Sequence, residues 1–389
     1  MDIFTPVRLI YSKLQFLRNY FLLMEEKHEG VTIFIDVTEV HQNNTKTGVQ
    51  RVTTSVLNYL YKETPEKYKI VEVYAKPHGA GFFCCKDNKP MKICPTDIFF
   101  GLDLSKFILP QNFQYLKKMY HNGVAVYFFV HDIMPITIPE YCSVSVRKIF
   151  PKWLKTVIQF TGLIANSKST MDEVQHWLAE NPSIPRNKNL KLNYVHLGAD
   201  FAENKKIVPA EMKPNIPTIL MVSTVEPRKK YDQALAAFEI LWKKNIKVHL
   251  QIVGRRGWNN EATIKKLDSS PFLNKTLFWY DSGISDEELA DLYQNCSAVL
   301  FTSIAEGFGL AVVEAGYYKK PVILRDIPVF REIAGDNAFY FDSLEPEKLA
   351  ETIEQWLDSY RSGTVSVPDI HLTSWKQCTQ EILQIILRN

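Results

Sequence analysis

Short apolar runs alternate with stretches of helical spacing along most of the chain. Runs of about four to eight apolar residues bounded by turn residues are typical of buried strands, and longer stretches with apolar residues three and four positions apart are typical of helices. The runs that predict strands are 31–37, 124–133, 162–169, 218–224, 247–254, 297–303 and 321–326. The stretches that predict helices are 47–62, 229–245, 285–296 and 310–320. This alternation predicts an α/β fold with parallel sheets flanked by helices.

The pattern stops and restarts near the middle of the chain. A polar, proline-bearing stretch at 203–217 separates the two halves and predicts a linker. We therefore predict two doubly wound, Rossmann-like domains that face an interdomain cleft, one at 31–205 and the other at 206–370. An amphipathic helix at 1–30 precedes them, and a helix at 371–389 is expected to cross back to the first domain.

Composition narrows the class of protein without fixing its function. With 389 residues, 46% of them hydrophobic, the chain can build more than one core. Its net charge of +3 is too small to indicate nucleic acid as a partner. The six cysteines form no C-x-x-C pair and have no zinc spacing with histidine, so we expect reduced thiols in a cytosolic protein. Without a signal peptide or an apolar run near 18 residues, we expect no membrane crossing.

Two glutamates flank a glycine-rich bend in the stretch AEGFGLAVVEAG, residues 305–316. If a helix begins near Gly309 or Leu310, its free N–H groups favour an anion such as phosphate, and glycine lets the backbone approach a ligand. Glu306 and Glu314 would repel phosphate, but carboxylates accept hydrogen bonds from neighbouring hydroxyls of a sugar or ribose. The stretch therefore fits a nucleotide sugar. It also fits a solvated Glu306 and a Glu314 that only complements the helix dipole.

A basic cluster follows the strand predicted at 218–224. Arg228, Lys229 and Lys230 come after Pro227, which suits the first turn of a helix. Carboxyl ends of strands are where α/β sheets bind ligands, and cations there would stabilise the charge of a departing diphosphate. A solvated basic turn is the alternative.

Several motifs in the same order resemble the retaining glycosyltransferases of family 4, which have the GT-B fold. Four stretches resemble the C-terminal domain of that family: VEPRKKYDQALAAF, GISDEELADLY, FTSIAEGFGLAVVEA and PVILRDIPVFREIAGDNAFYF. Glu306 and Glu314, in the third stretch, match the family's E-x7-E signature. Its N-terminal domain is resembled by FVHDIMPITIPEY, LIANSKST and VHLGAD. The resemblance covers roughly residues 31–383, and TGVQRV at 47–52 is similar to a subgroup acting in bacterial surface-polysaccharide assembly.

The resemblance implies roles for particular residues. Lys229 would contact the donor diphosphate, Glu314 the ribose and Glu306 the hydroxyls of the donor sugar. Gly48 would let the backbone approach phosphate and acceptor, and His131 would lie near the donor sugar. The residues expected to be catalytic are Glu306, Arg228, Lys229 and His131. Those expected to bind the donor are Gly48, Lys229, Glu306, Gly307, Phe308, Gly309, Leu310 and Glu314.

The sequence departs from the family pattern at three positions. Thr224 stands where many members carry an arginine, and we expect Arg228 to compensate. Ala311 replaces the usual proline and Lys230 the usual asparagine, and neither change disturbs the expected site.

These features together predict a retaining, metal-independent glycosyltransferase. The chain has no D-x-D and no G-x-x-x-x-G-K-[ST] or G-x-G-x-x-G motif, so we expect neither a metal nor another cofactor, and the nucleotide sugar is a co-substrate. We expect GDP-mannose as the donor and a lipid-linked saccharide as the acceptor, in the synthesis of a bacterial surface polysaccharide such as O-antigen or capsule. The alternatives are a GT-B sugar-nucleotide epimerase and a non-catalytic saccharide-binding relative.

The N-terminal segment predicts a helix with an apolar stripe. That stripe within residues 7–24 consists of Ile10, Leu14, Leu17, Phe21 and Met24. Lys13 and Arg18 flank it, which suits a helix lying on the inner face of the cytoplasmic membrane, so that a cytoplasmic enzyme would be held there peripherally. Packing of the same stripe on its own domain or on a partner chain is the alternative.

Overall fold

The computed structural model describes residues 23–24, 30–43, 47–199 and 215–388. It divides the chain into two compact units. The first unit comprises Met1–Gly198 and Ser374–Asn389, and the second comprises Ala199–Thr373.

The first unit contains a seven-stranded sheet. Its strands are β1 Val31–Asp36, β2 Tyr68–Ala75, β3 Phe82–Cys84, β4 Ile98–Gly101, β5 Ala125–Val130, β6 Gly162–Ala165 and β7 Lys191–Tyr194. Their order across the sheet is β3-β2-β1-β4-β5-β6-β7. All neighbouring pairs are parallel except β2 with β3, which is antiparallel. The connecting helices are α1 Thr38–Gln42, α2 Gly48–Glu63, α3 Phe113–His121, α4 Met134–Thr137, α5 Val144–Val157 and α6 Lys168–Glu180, with 3-10 turns at Leu109–Asn112 and Pro139–Tyr141.

Aromatic side chains fill the core of the first unit. The ring of Phe99 lies edge-on to Phe82, with 4.9 Å between centroids, and 6.1 Å from Phe128 on the next strand. Gly101 makes this packing feasible, because a Cβ at that position would lie 2.3 Å from the Phe128 ring. The central strands β1, β4, β5 and β6 are buried on both faces, as expected for a parallel sheet covered by helices.

The second unit contains a six-stranded sheet whose strand pairs are all parallel. The strands are β8 Thr218–Val222, β9 His249–Val253, β10 Leu277–Tyr280, β11 Ala298–Phe301, β12 Val322–Arg325 and β13 Phe339–Phe341, in the order β10-β9-β8-β11-β12-β13. The helices are α7 Tyr231–Lys243, α8 Glu261–Asp268, α9 Asp286–Asn295, α10 Leu310–Tyr317, α11 Pro328–Ala334 and α12 Pro346–Ser362, and a 3-10 turn spans Pro227–Lys229. Helices α7 and α12 pack together, and their Phe238 and Trp356 join alternate strand residues such as Ile219 and Leu300 in one core.

Each sheet has one point where the strand order reverses. Strands β2 and β3 lie on one side of β1, and β4–β7 lie on the other side. In the second unit, β9 and β10 lie on one side of β8, and β11–β13 lie on the other side. In doubly wound sheets, ligands bind outside the carboxyl ends of the strands at such a point. The loops after β1, β4, β8 and β11 are therefore the places to look for a site.

Buried acids occupy the reversal point of the first sheet. Asp36 accepts hydrogen bonds from the Thr38 backbone at 3.1 Å and from the Ser105 hydroxyl at 3.0 Å, and Asp103 accepts one from the Val40 backbone at 2.8 Å. Burial raises the pKa of Asp36 to about 7, although the Thr38 and Ser105 hydroxyls oppose the rise. These contacts tie the loops after β1 and β4 together.

The last helix, α13 Trp375–Leu387, packs on α2 of the first unit. Ser374 and Gln377 form a capping box at its start. Gln380 donates a hydrogen bond to Glu63 of α2 at 2.8 Å. A Cβ on Gly198 would lie 2.3 Å from the backbone nitrogen of Trp375, so the chain passes this helix at very close range.

The predicted α/β class with two Rossmann-like domains is confirmed. Strands β2, β3, β4, β7, β10 and β13 were not predicted, and several predicted elements differ from the structure at their ends. The capping box predicted at Ser285 and Glu288 is present. The helix predicted from residue 229 begins instead at Tyr231, because Lys230 has a left-handed φ of 53°. Of the linker predicted at 203–217, residues 203–214 lie outside the described residues.

One prediction for the N-terminal segment is wrong at its end. Met24, assigned to the helical stripe, forms an isolated β-bridge with Ile93, so the chain is extended there. Leu23 is buried in the core of the first unit, and its carbonyl accepts a hydrogen bond from the Ile93 backbone at 2.9 Å. Residues 7–22 lie outside the described residues. Among the helices that the structure describes, none combines the length and apolar character needed to span a bilayer.

We expect Ile382→Ala to lower the free energy of unfolding by about 2 to 5 kcal/mol, because Ile382 is fully buried where α13 packs in the first unit. Urea denaturation of the parent and the variant measures the change. Glu381→Ala is the matched control, since the neighbouring side chain is exposed. Equal stabilities of the two variants would show that α13 contributes little to the unit.

Candidate functional site

The loops after β8 and β11 bring the basic cluster and the glycine-rich bend together. The Ile304 backbone donates to the Arg228 carbonyl at 3.0 Å, and the Thr302 hydroxyl donates to the Lys229 carbonyl at 2.6 Å. The 3-10 turn and the left-handed Lys230 make the chain turn sharply before α7. Backbone contacts, and not only side chains, therefore fix the two loops at the reversal point of the sheet.

Four charged side chains form a buried cluster between these loops. One carboxylate oxygen of Glu306 lies 3.0 Å from Arg228 Nη1, and the other contacts Lys229 Nζ. Arg228 also donates to the Ala305 carbonyl at 3.1 Å, and its Nε lies 3.2 Å from Glu226 Oε2. The side chains of Arg228, Lys229 and Glu306 are only 18%, 13% and 9% exposed. We call Glu226, Arg228, Lys229 and Glu306 the charge cluster.

Burial and pairing set the protonation of this cluster. Burial acts to raise the pKa of Glu306, but Lys229 and Arg228 overcome it and hold that pKa at about 2. Burial, with a further contribution from Arg228, lowers the pKa of Lys229, and Glu306 opposes that fall. At neutral pH Glu306 is therefore an anion held by two cations.

The second glutamate of the signature is fixed separately. Helix α10 begins at Leu310 after Gly309, whose φ of 88° suits glycine, and Glu314 lies in its second turn. The Tyr293 hydroxyl donates to Glu314 Oε2 at 2.7 Å. Tyr293 in turn stacks on Tyr318 with 5.2 Å between ring centroids. Glu314 is thus held near the beginning of a helix, whereas Glu306 lies in the bend before it, with Gly307 and Phe308 buried beside it.

Arg325, a buried arginine that joins the segments around the site, was not predicted from the sequence. Arg325 ends β12 and is only 4% exposed. It donates to the carbonyls of Thr302 and Ser343 at 3.0 Å each, and it contacts the side-chain oxygen of Gln233. The sequence signal that could have identified it is the arginine at the end of the apolar run PVILR, because a charge in an apolar environment requires partners. Glu226 and Tyr293 were also missed, and neither carries a local signal.

The first unit holds the two other predicted site residues. His131 follows β5 and is buried, and burial lowers its pKa to about 4 while a contact with the Leu102 carbonyl opposes the fall. Its imidazole is therefore neutral at neutral pH. Gly48 is the first residue of α2, and a Cβ there would meet nothing within 4 Å. Packing against the described residues therefore gives no reason for glycine at this position.

Thr224, at the place where the sequence pattern led us to expect an arginine, is half-buried in the turn after β8, and Arg228 and Lys229 are the cations that contact Glu306. Within the described part of the chain, no group of three or more histidine, cysteine or acidic side chains is arranged to hold a metal ion.

The chain resembles known glycosyltransferases in sequence and in fold. The model of the family Glycosyl transferases group 1 matches residues 200–364. The chain is 35% identical over 377 residues to the serotype-specific mannosyltransferase WbdA of Escherichia coli, a match that covers 90% of this chain and 44% of WbdA. The chain therefore spans less than half the length of this relative.

Solved structures extend the likeness to the fold. A glycosyltransferase from Rickettsia africae matches 93% of this chain and 100% of its own at 19% identity, with a TM-score of 0.60. The Anabaena protein HepE, in complex with UDP and glucose, matches 92% and 95% at 14% identity, with a TM-score of 0.59. These structures confirm the predicted GT-B fold class, and the sequence matches confirm the resemblance to glycosyltransferases.

Acid should remove the stabilisation that Glu306 provides. Because its pKa falls from 4.5 to about 2 on folding, its contribution is complete above pH 4.5 and disappears as the pH falls toward 2. The stability difference between the parent and Glu306→Gln should therefore shrink over that window, by up to about 3 kcal/mol. Urea denaturation at a series of pH values measures it.

Glu347→Gln serves as the control, because Glu347 is an exposed glutamate outside the charge cluster. A difference between the parent and Glu306→Gln that stays constant with pH would contradict the assigned charge state of Glu306.

Proposed function

We propose that the protein transfers a sugar from a nucleotide-sugar donor to a saccharide acceptor, because residues 200–364 match the model of the family Glycosyl transferases group 1. The observation that supports this proposal is the charge cluster at the reversal point of the second sheet, where Rossmann-like domains bind nucleotides. Because WbdA is a mannosyltransferase, we favour mannose as the transferred sugar and GDP-mannose as the donor.

In the proposed reaction, the bond between the anomeric carbon and the diphosphate oxygen breaks while the acceptor hydroxyl bonds to the same carbon. The hydroxyl proton passes to the departing phosphate oxygen on the same face of the sugar, so configuration is retained and no protein nucleophile is needed. Negative charge grows on the diphosphate as it leaves. Arg228 and Lys229 are two buried cations able to stabilise that charge without a metal ion.

The remaining residues are proposed to orient the donor. Glu314, fixed by Tyr293, would accept hydrogen bonds from the ribose hydroxyls, and Glu306 from the sugar. The neutral imidazole of His131 suits a hydrogen bond to a sugar hydroxyl. Gly48, where a Cβ has open space, suits a backbone approach to phosphate.

An assay with a panel of nucleotide sugars, with and without a lipid-linked saccharide acceptor, tests the activity. Transfer that requires the acceptor supports the proposal. An epimerase would change the nucleotide sugar without an acceptor, and a binding protein would change nothing, so either result overturns it. The same assay in excess EDTA tests metal independence, and NMR of the product tests retention at the anomeric carbon.

Lys229→Ala should lower turnover by about a hundredfold, since a well-placed charge contributes roughly 3 kcal/mol to a transition state in which charge develops. Lys230→Ala is the matched control, because the neighbouring lysine pairs with Asp232 at 3.0 Å and not with Glu306. The assay compares initial rates of transfer by folded proteins. Equal rates for the two variants would remove Lys229 from the proposed mechanism.

We also propose a peripheral location on the cytoplasmic membrane, which rests on the part of the apolar stripe that excludes Met24, namely Ile10, Leu14, Leu17 and Phe21, and on its flanking Lys13 and Arg18. Leu14→Glu with Leu17→Glu should abolish cosedimentation with anionic liposomes and leave the melting temperature unchanged, and salt should weaken binding of the parent. A large fall in melting temperature, with no liposome binding by the parent, would assign the stripe to packing instead.

A further inference from the structure

We propose that Glu306 competes with the donor diphosphate for Lys229 and Arg228, so that the diphosphate displaces this carboxylate and releases it to the hydroxyls of the transferred sugar. The inference rests on the proposed function and adds a sequence of partner exchanges to it. In this scheme one carboxylate first holds the cations and then holds the sugar.

The charge balance of the cluster gives the first reason. Glu226 and Glu306 supply two negative charges, and Arg228 and Lys229 supply two positive charges, all of them largely removed from water. A diphosphate that joined the intact cluster would bring excess negative charge into a poorly solvated place, where repulsion between like charges is strong. Departure of Glu306 from the cations relieves that repulsion.

The contacts also differ between the two cations. Arg228 keeps Glu226 at 3.2 Å and the Ala305 carbonyl at 3.1 Å even when Glu306 moves away. Lys229 has Glu306 as its ion-pair partner among the described residues. Displacement of Glu306 therefore leaves Arg228 positioned and makes the Lys229 ammonium available to the phosphate.

The position of Glu306 in the chain permits the exchange. Glu306 lies in an irregular bend between β11 and α10, whereas Glu314 is fixed on α10 by its bond to Tyr293. A rotation of the Glu306 side chain therefore requires no helix to move. The Ser303 hydroxyl also bonds to the Glu306 carboxylate.

This exchange distinguishes a complete donor from its product. A nucleotide sugar breaks the contacts of Glu306 with the cations but supplies sugar hydroxyls that replace them. A nucleoside diphosphate breaks the same contacts and supplies no hydroxyls to Glu306. The carboxylate therefore weakens binding of the product selectively and assists its release after transfer.

Calorimetry with GDP, UDP and inorganic pyrophosphate tests the inference. Glu306→Gln should bind the probe that binds the parent about tenfold more tightly, because the cations lose their competing anion while the side-chain shape is kept. Glu347→Gln is the matched control, since it removes the same charge from an exposed glutamate outside the charge cluster. The control should change affinity by less than about threefold, because salt screens the interactions of exposed charges.

Glu306→Asp is a second variant that keeps the charge but shortens the side chain, and it should bind the same probe several-fold more tightly because its contact with Lys229 is weaker. It also serves if Glu306→Gln fails to fold, as judged by circular dichroism. Unchanged or weaker binding in the folded Glu306 variants would overturn the inference and leave the proposed function standing. If the parent bound none of the three probes, both the inference and the proposed function would be overturned.

Discussion

A charge removed from water requires a partner, and this constraint organises the second unit. Glu306 remains an anion in a buried place because Arg228 and Lys229 lie on either side of its carboxylate. Those cations are in turn positioned by the backbone bonds that join the loop after β8 to the loop after β11. The interactions that form the site are therefore also the ones that join the two loops.

Buried acids near the reversal points of the two sheets have pKa values shifted in opposite directions. In the first sheet Asp36 is surrounded by hydroxyl and N–H donors, and burial raises its pKa to about 7. In the second sheet Glu306 faces full positive charges, and its pKa falls to about 2. The acid that joins loops in the first unit thus has a raised pKa, whereas the acid in the second unit is ionised at neutral pH.

The sequence was most informative where chemistry is local. The beginning of α10 at Leu310 and the capping box at Ser285 follow from patterns within a few residues, and so do strands β1, β5, β6, β8, β9, β11 and β12. The ion pair between Arg228 and Glu306 joins residues 78 positions apart, and only the pairing of β8 with β11 brings them together. Arg325 was hidden for the same reason, because its partners come from three other segments. The prediction of a helical stripe was wrong at Met24, because the chain there pairs with Ile93 in spite of the helical periodicity of the sequence.

The return of α13 to the first unit has a consequence for biosynthesis. The first unit is assembled from two stretches of sequence that the whole of the second unit separates. On the ribosome, residues 199–373 are therefore complete before the partner of α2 has emerged. The second unit then has its whole sequence and is able to fold as a unit, whereas the earlier stretch of the first unit keeps the surface that receives α13 uncovered until residues 374–387 have been made. Chaperone demand during translation should accordingly fall on that earlier stretch.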